Sequence, residues 1–422
     1  MSSLLRRHRD FRLLWIGETS SRLGTSVTTV VIPLVAVITL HASTFTVSLL
    51  TAAAWLPWLL IGLAAGSWVE RLPRRPLMIC CDLISALLFA SVPVAVALGH
   101  LTDTQLLVVA LGAGCASVMF TTAYGVYVID LVSDNDDRVI ANSALQGSAS
   151  AAQIGGPGVG GLLAQALGAA TALLADSLSF LISALCLAFI RAPQPARPQV
   201  SPEQSLRKQV AEGVRYLSGD ALLRPLVLFG GTANLALTGY QAILIVFLVR
   251  DVGLKAGTIG ALLGLVGCGG VLGAVVANPL ARRLGTGRAL LLTKVGASPF
   301  ALLIPLTGSG PRLAFLIAGG LGVGTGIVAG NIISTGFTQA YTPTALYARM
   351  SATTNVFNFG MIPIGAILGG ALGATLGLRT ALWITTALLP TSAVLLIASP
   401  LRHCRTLPTS TTRAKGEPDS HP

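Results

Sequence analysis

Residues 66–75 read Gly66-Ser67-Trp68-Val69-Glu70-Arg71-Leu72-Pro73-Arg74-Arg75, and residues 278–288 read Asn278-Pro279-Leu280-Ala281-Arg282-Arg283-Leu284-Gly285-Thr286-Gly287-Arg288. Each is a short basic turn between two long apolar runs, and each follows the second run of its half of the chain. A second echo joins Gly156-Pro157-Gly158-Val159-Gly160-Gly161 to Pro363-Ile364-Gly365-Ala366-Ile367-Leu368-Gly369-Gly370. Two copies of one unit in parallel orientation are an architecture of membrane transporters.

Working outward from these landmarks gives twelve runs of the roughly 20 apolar residues that cross a ~30 Å hydrocarbon core. They cover 11–38, 46–69, 75–98, 104–129, 139–166, 170–190, 222–249, 257–281, 288–307, 311–339, 346–375 and 378–399. Composition agrees. The 422 residues are 53% hydrophobic and 10% charged, where a soluble domain carries about 25% charge, so lipid must solvate much of the surface. The expected fold is an all-α membrane protein of twelve transmembrane helices in two pseudo-symmetric six-helix bundles, 1–195 and 221–402. A cytoplasmic linker at 196–220 and a disordered tail at 403–422 complete the chain. Within the linker, Leu206, Val210, Val214 and Leu217 recur at helical spacing and predict an amphipathic helix along the inner interface.

The net charge of +12 does not indicate nucleic acid, because the basic residues sit in short clusters between apolar runs. With the N-terminus inside, 23 of the 28 Lys and Arg fall in cytoplasmic segments, including Arg282, Arg283, Arg288 and Lys294. Arg250, Lys255, Arg312 and Arg379 fall outside, and Arg22 lies within the first run. This bias predicts both termini on the cytoplasmic side of the cell membrane. Five of the six cysteines lie inside apolar runs, which is neither a disulfide framework nor a spaced metal site. No metal or cofactor is expected. Without a Gly-Lys dipeptide there is no P-loop, and no nucleophile–base pair at membrane depth suggests an enzyme.

The sharpest feature is Glu18 with Arg22. They lie roughly 9 and 15 Å into the first run at ~1.5 Å per residue, on one helix face at i,i+4. Charge in hydrocarbon is expensive, so the pair should face a cavity. Two readings stand side by side: a proton site poised between the opposing effects of burial and the arginine, or a permanent strut.

The quoted turn resembles the signature loop of the major facilitator superfamily, with Glu70 at its acidic position and Pro73 at its second glycine. Gly156-Pro157 with Gly160-Gly161 resembles the span-five motif of drug/proton antiporters. The opening Asp10-Phe-Arg-Leu-Leu-Trp-Ile-Gly-Glu-Thr-Ser-Ser-Arg-Leu-Gly is similar to the start of bacterial exporters of drugs, macrolides and siderophores.

The resemblance implies a gating loop of Gly66, Glu70, Arg71, Arg74 and Arg75, in which Arg74 meets Asp130 and Glu70 faces the positive end of helix eleven. The alternative for these arginines is topology alone. Gly156, Gly160 and Gly161 would pack on Gly264, Gly267, Gly270 and Gly273 of span eight, and Gly62 and Gly66 on Gly369 and Gly373, as seals or as plain tight packing. The cavity candidates are Tyr124, Tyr127, Asn234, Tyr240, Gln241, Asn331, Phe337, Asn355, Phe357 and Asn358, a sparse polar lining suited to an amphipathic compound. Alternatively the amides tie helices together. The function so implied is export of hydrophobic or amphipathic small molecules by a monomer using proton antiport. A dedicated exporter of one metabolite, such as a siderophore or antibiotic, is the alternative, and a transport-dead sensor is a weaker one.

Overall fold

A computed structural model describes residues 8–131, 135–191 and 206–408. The described residues form α-helices joined by short turns. In chain order they are α1 (Arg9–Leu34), α2 (Thr44–Leu60), α3 (Gly62–Arg71), α4 (Arg74–Ala97), α5 (Asp103–Leu131), α6 (Asn135–Leu167) and α7 (Ala169–Phe189). Then come α8 (Leu206–Gly219), α9 (Leu223–Arg250), α10 (Ala256–Leu284), α11 (Thr286–Leu291), α12 (Leu313–Tyr341), α13 (Thr344–Leu376) and α14 (Leu378–Ile397).

Every predicted run is helical. Ten of the described helical stretches are long and apolar enough to cross a membrane. The other two depart for identifiable reasons. The second run is split, because Ile61 leaves helical geometry at φ −116° and ψ −7°, one turn after Pro57. The fifth is α6, whose stripe of Asn142, Gln146 and Gln153 dilutes its apolar character. The ninth run is irregular too: α11 passes into a π-helical turn at Leu292–Gly296 and a 3-10 stretch at Ser298–Leu306.

Short links hold neighbouring helices antiparallel. Gly168 at φ +89° joins α6 to α7, and Gly377 at φ +86° joins α13 to α14. Only glycine adopts that left-handed backbone without steric cost, so the repeat reuses one hinge chemistry in both halves. Asp220 caps α9, its Oδ1 accepting from Leu222 N at 2.8 Å and Leu223 N at 2.9 Å.

The chain forms two compact units. The first comprises Met1–Ser201, Gln241–Gly264 and Ala366–Leu378. In it α1 packs against α6 and α7, α4 against α5 and α7, and α2 against α5. Phe11, Leu14, Met78 and Leu187 anchor one buried cluster. The second comprises Pro202–Tyr240, Leu265–Gly365 and Arg379–Pro422, around Leu223, Phe229, Leu290, Phe337 and Leu396.

Along the linker helix, the Leu206 and Val210 side chains lie outside the described residues. Gly213 and Leu217 are buried, while Val214 is 50% exposed. The cause is α13: Arg349 pairs with Glu212, and a Cβ on Gly213 would lie 2.8 Å from the Arg349 carbonyl. Residues 192–205, which include the start of the linker, lie outside the described residues. So does the tail from 409, but its first residues dock on α11, with Leu407 N–H donating to Thr286 Oγ1 at 2.8 Å and Gly287 N–H to the Arg405 carbonyl at 3.1 Å.

Candidate functional site

The first unit contains a half-open cavity of about 450 Å³. Glu18, Ser21, Arg22 and Thr25 of α1 line it, facing Cys81, Asp82 and Ser85 of α4, Ser117 and Phe120 of α5, Gln146 and Gln153 of α6, and Phe180 of α7. Glu18 is 5% exposed and Asp82 1%. Arg22 Nε donates to Glu18 Oε1 at 2.5 Å, and its guanidinium carbon lies 6.0 Å from the Tyr124 ring centroid, within cation–π range. Asp82 Oδ2 has no hydrogen-bond partner among the described residues. Two carboxylates and one guanidinium thus share one cavity.

The rotation of α1 that aims Glu18 inward is set by close contacts elsewhere on the helix. Gly24 faces Asp176 of α7, where an added Cβ would overlap Asp176 Oδ1. Asp176 is fully buried and accepts from Thr28 Oγ1 and, at 3.1 Å, from Ser179 Oγ. It bolts α1 to α7 and does not line the cavity.

The second unit has its own smaller cavity, about 130 Å³, lined by Phe229, Asn234, Lys294, Asn331 and Asn358 among others. Lys294 belongs here and not to a cytoplasmic segment as the charge pattern suggested. It is the ninth residue of the Thr286–Leu306 span, about 12 Å in at ~1.5 Å per residue. Its Nζ donates to Asn331 Oδ1 at 3.2 Å and lies 5.1 Å from the Phe229 ring centroid. Ammonium at such depth costs ~2.5–3.5 kcal/mol on insertion scales, which the amide and the ring offset.

Of the expected cavity residues, Asn234, Asn331 and Asn358 line this second cavity. Asn234 Nδ2 also donates to the Asn358 carbonyl at 3.3 Å. Tyr124, Tyr127, Tyr240, Gln241, Phe337, Asn355 and Phe357 line neither of the two. Tyr127 is buried in the first unit's apolar cluster, Phe337 stacks on Tyr341 at 5.0 Å, and the Phe357 ring covers Gly231. Gln241 and Asn355 are exposed.

In the basic turn, Arg74 pairs with Asp130 as the resemblance implied. Arg75 reaches the end of α7, donating from Nε to the Leu187 carbonyl at 2.7 Å and from Nη2 to the Ala188 carbonyl. Both are last-turn carbonyls, and that of Leu187 also accepts from Ile190 N–H at 3.3 Å. Arg71 is exposed, and a Cβ on Gly66 would meet nothing within 4 Å. The Glu70 side chain lies outside the described residues.

The glycine pairs are re-partnered. Gly161 backs on Gly260 of α10, where an added Cβ would lie 2.7 Å from the Gly260 Cα, and Gly264 faces the Ile154 carbonyl. Gly156 and Gly160 instead meet Ser26 and Val27 of α1, while Gly270 and Gly273 turn toward α12. Gly370 and Gly373 pack on Ser48 and Thr44 of α2, not on Gly62 or Gly66. The stagger between helices moved each partner by about a turn or to another face.

A family model described as transmembrane secretion effector matches residues 3–419. The chain belongs to that family of the major facilitator superfamily. It is 26% identical over 378 residues to the multidrug efflux pump Tap of Mycolicibacterium fortuitum, covering 87% of this chain and 90% of that protein. It is 27% identical over 345 residues to the pump of the same name from Mycobacterium tuberculosis (strain ATCC 25618 / H37Rv), covering 79% and 80%. Among solved structures, a point mutant of the nucleoside transporter NupG superposes with a TM-score of 0.77 at 13% identity, covering 92% of this chain and 99% of that one. A bacterial homologue of the iron transporter ferroportin gives 0.74 at 16%, covering 92% and 98%. As a major facilitator protein, the chain is a multi-pass membrane transporter and not an enzyme.

Two charged residues of these sites were not among the expected site residues. Asp82 carried the same signal that singled out Glu18, an acid inside an apolar run. Lys294 was hidden because Arg288, six residues earlier, drew it into a basic cluster at the helix start.

Proposed function

We propose that this transporter exports hydrophobic or amphipathic drug-like molecules across the cytoplasmic membrane by proton antiport, with both termini inside and one chain as the working unit. The curated relatives, both named multidrug efflux pumps, support the substrate class. The observation that carries the coupling is the shared cavity of Glu18, Asp82 and Arg22. With both carboxylates ionised and one guanidinium present, the cavity holds an uncompensated negative charge, which a low-dielectric wall opposes. Uptake of one proton neutralises it. Re-ionisation when the cavity meets the other bulk phase gives back that proton, and a compound that competes for the same carboxylates links the two movements.

Glu18 would be the proton carrier in this scheme, Arg22 the group that returns it to the charged form, and Asp82 the second acid that sets how many protons are held. The Phe89–Phe180 stack, with centroids 5.9 Å apart, and Phe120 supply apolar wall. Arg74 with Asp130 serves as the gating pair, and the packing of Gly156, Pro157, Gly160 and Gly161 as the seal.

The test uses proteoliposomes loaded with a pH-sensitive dye and a panel of lipophilic cations and neutral antibiotics. Substrate-evoked proton flux lost in Glu18→Gln, with substrate binding kept, is the expected result. Equal flux in both proteins would make Glu18 a strut and overturn the coupling.

A further inference from the structure

We propose that Lys294, with Asn331 beside it, is an anion-binding site in the second unit that holds the carboxylate head of an amphipathic compound. Four observations meet there. First, the charge has no counter-ion among the described residues: none of the residues lining the 130 Å³ cavity is acidic, and Lys294 forms no ion pair there. Second, the ammonium has capacity to spare. It has three N–H donors, and its one described hydrogen bond goes to Asn331 Oδ1 at 3.2 Å. Third, the backbone is re-aimed at this residue. The π-helical turn Leu292–Gly296 is centred on Lys294, and such single-turn bulges concentrate at functional sites. Fourth, the size is that of a headgroup. A water occupies ~30 Å³ in the liquid, so the cavity takes a carboxylate and a few carbons but not a whole drug.

A lysine is suited to this task as a compact charge that binds an anion without demanding planar geometry. The apolar side of the cavity, formed by Phe229, Val323 and Leu389, receives the first carbons behind the head. The structural alternative is a strut in which Lys294 only ties its helix to Asn331 of α12.

The inference adds amphipathic carboxylates, held in the second unit, to the cationic and neutral compounds of the export reading, and rests on that reading for its physiological meaning. Its test does not. Purified full-length protein in detergent is titrated with 1-pyrenebutyric acid and, separately, with the uncharged 1-pyrenebutanol, following pyrene fluorescence. The wild type should prefer the carboxylate by at least about tenfold. Lys294→Gln should erase that preference and leave the alcohol unchanged. Asn331→Asp, which supplies an internal carboxylate, should do the same while keeping the helix contact. This second variant decides the matter if Lys294→Gln does not fold. Unchanged carboxylate preference in either folded variant, or no preference in the wild type, would overturn the proposal. The fluorescence titration reads binding in the second unit alone and the dye assay reads proton flux, so the two readings fail separately.

Discussion

Glu18 and Arg22 sit one turn apart on α1 and share a 2.5 Å hydrogen bond, yet the Glu18 side chain is 5% exposed and the Arg22 side chain 43%. The pair is buried at its acidic end and open at its basic end. Removing the arginine strands a buried carboxylate, whereas removing both charges strands nothing. Breaking a buried pair costs ~3–5 kcal/mol, and the exposure of Arg22 puts this case at or below the lower limit. Arg22→Gln should therefore lower the melting temperature more than Glu18→Gln/Arg22→Gln does, read by thermal unfolding in detergent. A double variant less stable than the single one would contradict the geometry.

Asp82 offers a separate handle on coupling. It lines the same cavity as Glu18 and has an oxygen without a partner among the described residues. Asp82→Asn keeps the shape and removes the charge. We expect substrate-evoked proton flux to fall at least tenfold while thermal stability holds or rises, because an uncompensated acid is lost. Undiminished flux would restrict coupling to Glu18.

The glycines give a contrast in packing. A Cβ on Gly260 would overlap the Pro157 carbonyl and lie 2.8 Å from the Gly161 Cα, while one on Gly66 would meet nothing within 4 Å. Overpacking costs ~1–3 kcal/mol, and a helical Gly→Ala change gains up to about 1 kcal/mol where there is room. Gly260→Ala should lower the melting temperature, and Gly66→Ala should leave it level or raise it. The reverse order would mean that α6 and α10 do not pack at this point.

Three neighbouring arginines should separate by role. Arg75 donates to two carbonyls at the end of α7, Arg74 pairs with Asp130, and Arg71 is exposed. Lysine keeps the charge and loses the fork. Arg75→Lys should cost about 1–2 kcal/mol in unfolding free energy, a lost charge-assisted hydrogen bond to the backbone. Arg71→Lys should cost nothing measurable. Equal effects would reduce the turn to a charge signal for topology.

Legible in the linear chain were the twelve runs, the repeat and the depth of Glu18, since apolar length and i,i+4 spacing are local properties of a helix. Asp82 was legible by the same rule and went unread. Lys294 was misassigned because a basic cluster near a helix start looks alike whether it ends at the interface or continues inward. The glycine partners could not be read at all: Gly161 finds Gly260 only because α6 and α10 cross at that height.

Chain membership in a membrane fold was thus decided by composition and period, because hydrocarbon demands ~20 apolar residues per crossing whatever the neighbours. Which polar groups meet was decided by the rotation of each helix about its axis. Gly24 against Asp176 turns α1 so that Glu18 faces Asp82, and the π-helical turn carries Lys294 to Asn331. Rotation of that kind is fixed by packing between helices far apart in the chain, and packing exists only in three dimensions.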